Sequence, residues 1–259
     1  MKFQIIASGS KGNMTYIETK ETKILIDAGI SLKEAKNRVS YPLEQIDVII
    51  ITHNHSDHIK YLPTIARHTN AVVYIQKGSL DNAPSAIKDK CEGMKFHYIE
   101  ANKKYVFRDF IFFTLLLSHD VDCLGLICSN NKKTLGYITD TGFLPIPYLD
   151  LLKKVDALVI ESNHDIELLA NSDRHWSLKE RIFSIQGHMS NLVCSQIVRE
   201  IVSARKVKTI ILAHLSEDCN SEELAVDTVL NALDGEFIPQ IMVAYQYQAT
   251  EMVELKNDD

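Results

Sequence analysis

The stretch "HNHSDH", residues 53 to 58, packs three histidines and an aspartate into six positions. His53 and His55 are two apart, so in an extended segment their imidazoles leave from the same face and can reach one ion. Asp57 and His58 follow where the chain begins to turn toward a helix, so they point elsewhere and can reach a second ion beside the first. Each half-site needs more donors. His119 in "LLLSHD", Asp140 in "GYITDTG" and His214 in "IILAHLS" are the best-placed suppliers, each just past an apolar run. Neutral imidazoles and carboxylates suit zinc, manganese or iron, and the absence of cysteine from the set argues against a purely structural zinc. Taken alone, "HNHSDH" can be read as a solvated loop after a buried strand, and His119 or His214 as a satisfied core histidine. The set of seven is what favours metal chemistry.

Short β-type runs alternating with helical patterns must hold these groups. "FQIIA", "MTYIET" and "KILIDAG" read as three strands joined by glycine-containing turns, and "IDVIIIT" as a strand buried on both faces. "AVVYI", "FIFFTLLL", "CLGLICS", "TLGYITD", "VDALVIE", "VKTIILAH" and "IMVAY" complete the expected strands. Helical spacing marks "SLKEAKNRV", with Ser31 and Glu34 in a capping-box pattern, and then "HIKYLPTIARH", "LKERIFSIQ", "NLVCSQIVREIVSA" and "SEELAVDTVLNAL". So much of the first half is strand without intervening helix that a two-sheet sandwich covered by helices is expected rather than a barrel. Ligand-type residues follow strands at Asp27, His53, His119, Asp140, Glu161 and His214, and strand ends converging on one sheet edge are where α/β proteins build sites.

A chain of 259 residues is expected to form a single domain over 1–259, and 46% hydrophobic with 24% charged residues is the balance of a soluble globular protein. Its apolar runs are too short to cross a bilayer and "MKFQIIASGSKGN" lacks a secretory h-region, so a cytoplasmic location with no membrane partner is expected. Cys91, Cys123, Cys128, Cys194 and Cys219 are odd in number and form no C-x-x-C pair, which fits a reducing compartment. A net charge of −6 argues against a generally basic nucleic-acid binder. Two divalent cations would add four positive charges where a substrate binds, so the tally does not exclude an anionic one.

The ordered set His53, His55, Asp57, His58, His119, Asp140 and His214 resembles the H-x-H-x-D-H signature of metallo-β-lactamase-fold hydrolases, with its later His, Asp and final His. The resemblance implies an α/β fold, a four-layer αββα sandwich with two divalent metal ions, Mn2+ or Zn2+, in its cleft. It implies one ion on His53, His55 and His119, the other on Asp57, His58 and His214, and Asp140 bridging. Asp27 in "LIDAG" matches an early strand-end aspartate that in the family usually orients the ligand loop. Two ions sharing one hydroxide make a nucleophile near neutral pH and favour an anionic substrate, which a phosphodiester, a β-lactam or a thioester carboxylate would satisfy.

"GHMSN" places His188 just before an expected helix whose first residues, Ser190 and Asn191, can offer donors to a phosphate. His188 resembles the histidine of the Gly-His-Ser-type element in nucleases of this fold, which implies a general acid at the leaving oxygen; a merely capping histidine is the plainer alternative. His188 and Asp57 are therefore catalytic candidates, joined by His164 of "IESNHD", whose role stays open between substrate contact, ligand support and an inert position. "ASGSKGN", "THNHSDH", "IESNHD", "GHMSN" and "LAHLSEDCN" together resemble more narrowly the YycJ/WalJ (VicX) branch of the fold. That branch is associated with cytoplasmic, manganese-supported 5′→3′ exonuclease activity on duplex DNA and a suspected part in mismatch repair. It implies a nucleic-acid substrate, DNA rather than RNA, and DNA-repair proteins as candidate partners.

The chain departs from related branches in having no room for a β-CASP insertion and no long exosite arm, which leaves substrate grip unexplained. Lys11, Lys33, Lys36, Arg38, Arg67, Arg174, Lys179 and Arg181 are the candidates, each by default a solvated charge. Competing readings are a small-molecule (cyclic) phosphodiesterase or thioester hydrolase with the same metal residues, or a non-catalytic metal-binding regulatory module.

Overall fold

The computed structural model describes residues 1–233 and 237–256. Strands β1 (Lys2–Ala7), β2 (Met14–Glu18), β3 (Lys23–Ile26), β4 (Val48–Ile50), β5 (Val72–Ile75) and β6 (Phe96–Tyr98) lie side by side in chain order. Pairing is antiparallel from β1 to β3 and parallel from β3 to β6. The second sheet also follows chain order: β7 (Lys104–Phe107), β8 (Phe110–Leu117), β9 (Cys123–Ser129), β10 (Thr134–Ile138), β11 (Ala157–Glu161), β12 (Thr209–Ala213) and β13 (Gln240–Val243). It is antiparallel as far as β10 and parallel beyond. A short β14 (Val253–Glu254) then returns the chain to the first sheet beside β1.

Parallel neighbours need a crossover, and every parallel junction here contains a helix. In the first sheet these are α1 (Leu32–Arg38), α2 (Ser56–Ile59), α3 (Leu62–Thr69), α4 (Lys77–Asp81) and α5 (Ser85–Lys88). In the second they are α6 (Ile146–Leu152), α7 (Ile166–Asn171), α8 (Trp176–Phe183), α9 (Asn191–Val202) and α10 (Glu222–Ala232).

Period-two burial makes four layers. Ile24, Ile26, Val48 and Ile50 face Phe112, Leu126, Val159 and Ile211 of the opposite sheet in one core. Their strand neighbours Leu25 and Ile49 turn outward onto Ala35, Leu62 and Ile65 of the helices. Leu158, Ile160 and Leu212 do the same on the other side against Val198, Ile201 and Val229. Strands buried on both faces must be apolar at every position, which is why "VIII" and "ALVI" show no alternation. Burying each such aliphatic side chain contributes roughly 1.5–3 kcal/mol. The architecture is thus the expected αββα sandwich, and no helix among the described residues is long and apolar enough to cross a membrane.

The differences from the sequence reading are local. β6, β7, β14 and helices α4 to α7 were not among the expected elements. Phe96–Tyr98 is mostly exposed and three residues long, and α6 opens on Pro145 and Pro147, which resemble a breaker until the helix starts on them. The helix expected over "HIKYLPTIARH" is split, α2 ending at Ile59 and α3 starting at Leu62 with Pro63 in its first turn. Ser31 caps α1 by accepting from Glu34 N at 3.1 Å, but the Glu34 carboxylate pairs with Arg38 instead of closing the box.

Candidate metal centre

Several expected strands stop short of their last residues, and this is what opens the site. "KILIDAG" leaves the ladder at Asp27 (φ 63°), "TLGYITD" near Asp140 (φ 61°) and "VKTIILAH" at His214 (φ 57°). The left-handed backbone is costly for most L-residues, though Asp and His enter it more readily than bulky ones, and it recurs at functional sites. Here it turns three strand ends toward one edge. The Asp27 loop then packs directly on the ligand loop: a Cβ on Gly29 would stand 1.7 Å from the Asp57 carbonyl oxygen, and Asn13 N donates to that oxygen at 2.7 Å.

Most of the candidate histidines show one nitrogen held by the protein and the other turned to a shared centre. His58 Nδ1 lies 2.8 Å from Asp27 Oδ2, and Asp27 is fixed in turn by Thr52 N at 2.9 Å. His53 Nδ1 meets Thr52 Oγ1 at 3.1 Å, His119 Nδ1 approaches Gly187 O at 3.3 Å, and His214 Nδ1 lies 3.2 Å from Glu161 Oε1. The opposite atoms converge. His119 Nε2 is 3.3 Å from His55 Nδ1; His58 Nε2 is 3.3 Å from Asp57 Oδ2 and 3.4 Å from Asp140 Oδ2; His214 Nε2 is 3.4 Å from Asp140 Oδ1. Donor atoms group as His53, His55 and His119, as Asp57, His58 and His214, and as His53, His58 and Asp140, so Asp140 stands between the first two sets. His55, Asp57, His119, Asp140 and His214 line a cleft of about 290 Å³, at the lower end for ligand sites, while His53 and His58 are wholly buried and do not line it.

This chain matches the model of the beta-lactamase superfamily domain over residues 22–215. It belongs to that superfamily. Within it the chain falls in the YycJ/WalJ-like branch, being 34% identical over 238 residues to Exodeoxyribonuclease YycJ of Bacillus anthracis, covering 90% of this chain and 89% of that protein. Exodeoxyribonuclease WalJ of Streptococcus pneumoniae is 34% identical over 239 residues, 90% of this chain and 88% of its own. The metallo-β-lactamase fold protein YhfI of Bacillus subtilis superposes with a TM-score of 0.74 over 96% of this chain and 98% of its own, at 15% identity.

The superfamily implies a divalent metal, and the residues fit one. His53 Nε2, His214 Nε2 and Asp140 Oδ2 are buried polar atoms with no hydrogen-bond partner among the described residues, and all three belong to the converging set. Buried polar atoms are normally paired, so three orphans in one place ask for an ion. The charge balance agrees. Burial opposes protonation of His58, yet Asp140, Asp27 and Asp57 carry it well above the ordinary histidine range; Asp140, Asp57 and Glu161 do the same for His214. Burial likewise opposes ionisation of Asp57, but His58 and His214 hold its carboxyl far below the usual range. Histidines that neighbouring carboxylates keep protonated are groups that give up those protons when a cation takes their place. His53 and His55 lie on the other side of the balance, lowered first by burial, and stay neutral donors.

His188 lines the same cleft, its Nδ1 2.7 Å from Glu161 Oε1. Glu161 is wholly buried; burial resists its charge, but His188 and His214 keep it ionised, and its other oxygen accepts from Thr141 N at 2.8 Å. With both oxygens committed to orienting neighbours, Glu161 reads as a support. Its place at a strand end was legible in the sequence, its role was not. Asp120, 3.1 Å from His55 Nε2, was missed, and the contact of the Asn13 amide with His58 Nε2 at 2.9 Å was not foreseen. Asp120 carried a signal as the neighbour of His119; Asn13 had only its glycine-rich loop.

Three expected site residues lie elsewhere. Ser190 Oγ caps α9 by accepting from Val193 N at 3.3 Å, and Asn191 is buried in a network with Ser162 and Asn220, so neither lines the cleft. His164 is buried against Phe183, its backbone bridged to Ser190 and its imidazole pushed down to about 4 by burial. Of the eight candidate cations, Arg181 alone lines the cleft. Arg38 binds the carbonyls of Ile6 and Gln246, and Lys179 that of Ala170, which makes both structural.

Proposed function

We propose that this metal-dependent hydrolase is a dinuclear phosphodiesterase that degrades DNA as an exonuclease, with 5′→3′ polarity taken from the activity associated with its branch. The observation that carries the reading is the convergence of seven His and Asp side chains on one centre, beside a histidine braced by a buried glutamate. His53, His55 and His119 would hold one divalent ion, Asp57, His58 and His214 the other, with Asp140 between them. Bound there, manganese or zinc would supply Lewis acidity and a nucleophile near neutral pH. The exodeoxyribonuclease relatives, aligned over about 90% of this chain, support DNA as the polymer.

The protein's own part is proton delivery and orientation. Glu161 takes the Nδ1 side of His188, leaving Nε2 to serve the cleft and give a proton to the leaving oxygen. Ser190 and Asn191 act behind it: the cap and the Asn191–Ser162–Asn220 network fix the start of α9, and Asn191 N donates to His164 O at 2.8 Å, tying the His188 segment to the end of β11. His164 is a packing element of that joint. A cytoplasmic location suits the five cysteines, all buried and unpaired.

His188→Ala tests the assignment. Turnover of 5′-labelled duplex DNA should fall by roughly 10²–10⁴ with metal content unchanged. Undiminished turnover would remove His188 from the reaction, and wild-type cleavage of a chromogenic diester without any degradation of DNA would replace the polymer reading.

A further inference from the structure

We infer that Asp120 and Arg181 form a positioning pair that links the ligand histidine His55 to a backbone phosphate next to the one being cleaved. The inference rests on the nuclease reading above. Its starting point is the orientation of His55, whose Nδ1 faces His119 Nε2 at 3.3 Å while its Nε2 lies 3.1 Å from Asp120 Oδ1. A carboxylate only accepts, so the proton of a neutral His55 sits on Nε2 and the lone pair of Nδ1 is left for the centre. His119 Nε2 is 3.3 Å from the same Oδ1, so that one oxygen borders both imidazoles.

The other oxygen of Asp120 faces outward and accepts from Arg181 at 3.2 Å. Arg181 is the one Lys or Arg lining the cleft among the described residues, and its side chain is 55% exposed. Asp120 engages one of its five N–H donors, which leaves the rest of a planar fork at the mouth. An exposed ion pair contributes little to folding. The last turn of α8 that bears Arg181 is nonetheless gripped closely: a Cβ on Gly187 would stand 2.1 Å from the Arg181 carbonyl oxygen, and the Gly187 carbonyl reaches His119 Nδ1. Backbone packing therefore ties the segment that bears Arg181 and His188 to His119.

Position selects the phosphate. Asp120 lies between Arg181 and the ligand histidines, so an anion seated among those histidines meets a carboxylate before it meets the guanidinium. The pair is neutral overall and leaves the attraction of the centre for the scissile group unchanged. Arg181 is placed for the next phosphate along a polymer whose bulk lies outside the small cleft, and a substrate with a single phosphate offers it nothing.

The test uses the metal-loaded full chain on a 5′-labelled duplex oligonucleotide and on thymidine 5′-p-nitrophenyl phosphate, together with titration of Mn2+ or Zn2+ alone into metal-free protein. Arg181→Ala should raise KM for the oligonucleotide about tenfold or more, with kcat and the chromogenic diester changed less than about twofold, and Arg181→Lys should recover part of the loss. Asp120→Asn should weaken ion binding about tenfold or more, whereas Arg181→Ala leaves it unchanged. An unaltered KM in Arg181→Ala, or an equal rise on both substrates, overturns the phosphate assignment; unaltered ion affinity in Asp120→Asn overturns the link to His55. A wild-type protein inactive on every polynucleotide would defeat the nuclease reading itself, and the ion titration of Asp120→Asn would still decide the other half.

Discussion

The chemistry at the level of single residues is a matter of which nitrogen is spoken for. Thr52, Asp27, Gly187 and Glu161 each occupy one nitrogen of a ligand-type histidine, and the opposite atom faces the centre, where the Asn13 amide also approaches that of His58. Glu161 does this twice, for His214 and for His188. Both imidazoles meet Oε1 while Oε2 accepts from Thr141 N, so an amide in its place must set its NH2 against either that N–H or the two imidazoles, and it carries no charge to balance them. Glu161→Gln is expected to lower turnover at least about tenfold. Because Glu161 is proposed to act through His188, adding Glu161→Gln to His188→Ala should cost far less than the product of the two single losses. A double-mutant cycle on kcat checks this, and multiplicative losses would separate the two residues. The ligand-type histidines that converge were legible because their types and order are distinctive. Asp120 and Asn13 were not, since an aspartate after a histidine or an asparagine in a glycine loop has many ordinary explanations.

Elements matter through the angle at which each strand lets go of its last residue. Asp27, Asp140 and His214 leave in the left-handed region, and Gly29 lets the first of these turns lie flat against the Asp57 carbonyl. Gly29→Ala places a Cβ 1.7 Å from that oxygen and 2.5 Å from Asn13 N, so backbone must move. We expect a loss of at least ~2 kcal/mol in urea unfolding, by the cost of overpacking, and weaker ion binding. Gly93 is the control: its φ is +76° but nothing lies within 4 Å of an added Cβ, so Gly93→Ala should cost ~1 kcal/mol and spare the ions. Sequence periodicity marked most of the strands but overran their ends by one to three residues. A run such as "TLGYITD" stays extended in composition up to the residue where the backbone reverses.

Across the whole molecule the two ends of the second sheet have separate duties. Asp140, Glu161 and His214 stand at or just past the C-terminal ends of β10, β11 and β12; the opposite ends are knotted by Asp156, which accepts from Lys206 at 2.6 Å, Thr134 N at 2.8 Å and Lys133 at 3.2 Å. Burial works against the Asp156 charge, but these donors hold its carboxyl below the usual range. A folded value below the unfolded one means the contribution is full above roughly pH 4 and is lost as the pH falls through the depressed value. Asp156→Asn should therefore destabilise by about 1–3 kcal/mol at pH 7, and the gap from wild type should narrow on acidification. Urea unfolding of both proteins between pH 3 and pH 7 measures it. A constant gap would assign the effect to packing.

Composition and order alone determined a good deal of this protein. Doubly buried strands must be apolar at every position, and a metal centre without cysteine can draw on His and Asp, so the two-sheet architecture and the seven candidate donors could be named from one dimension. The tertiary structure decided which atom of each donor is free, that Glu161 serves two histidines, that Ser190, Asn191 and His164 stand behind the cleft, and that one arginine among eight cations reaches it. Those facts depend on directions and distances between segments up to about two hundred residues apart along the chain, as in the bond from His214 N to Ser8 Oγ at 2.8 Å. Residue type constrains what a side chain can bond; only packing sets which partner comes within reach.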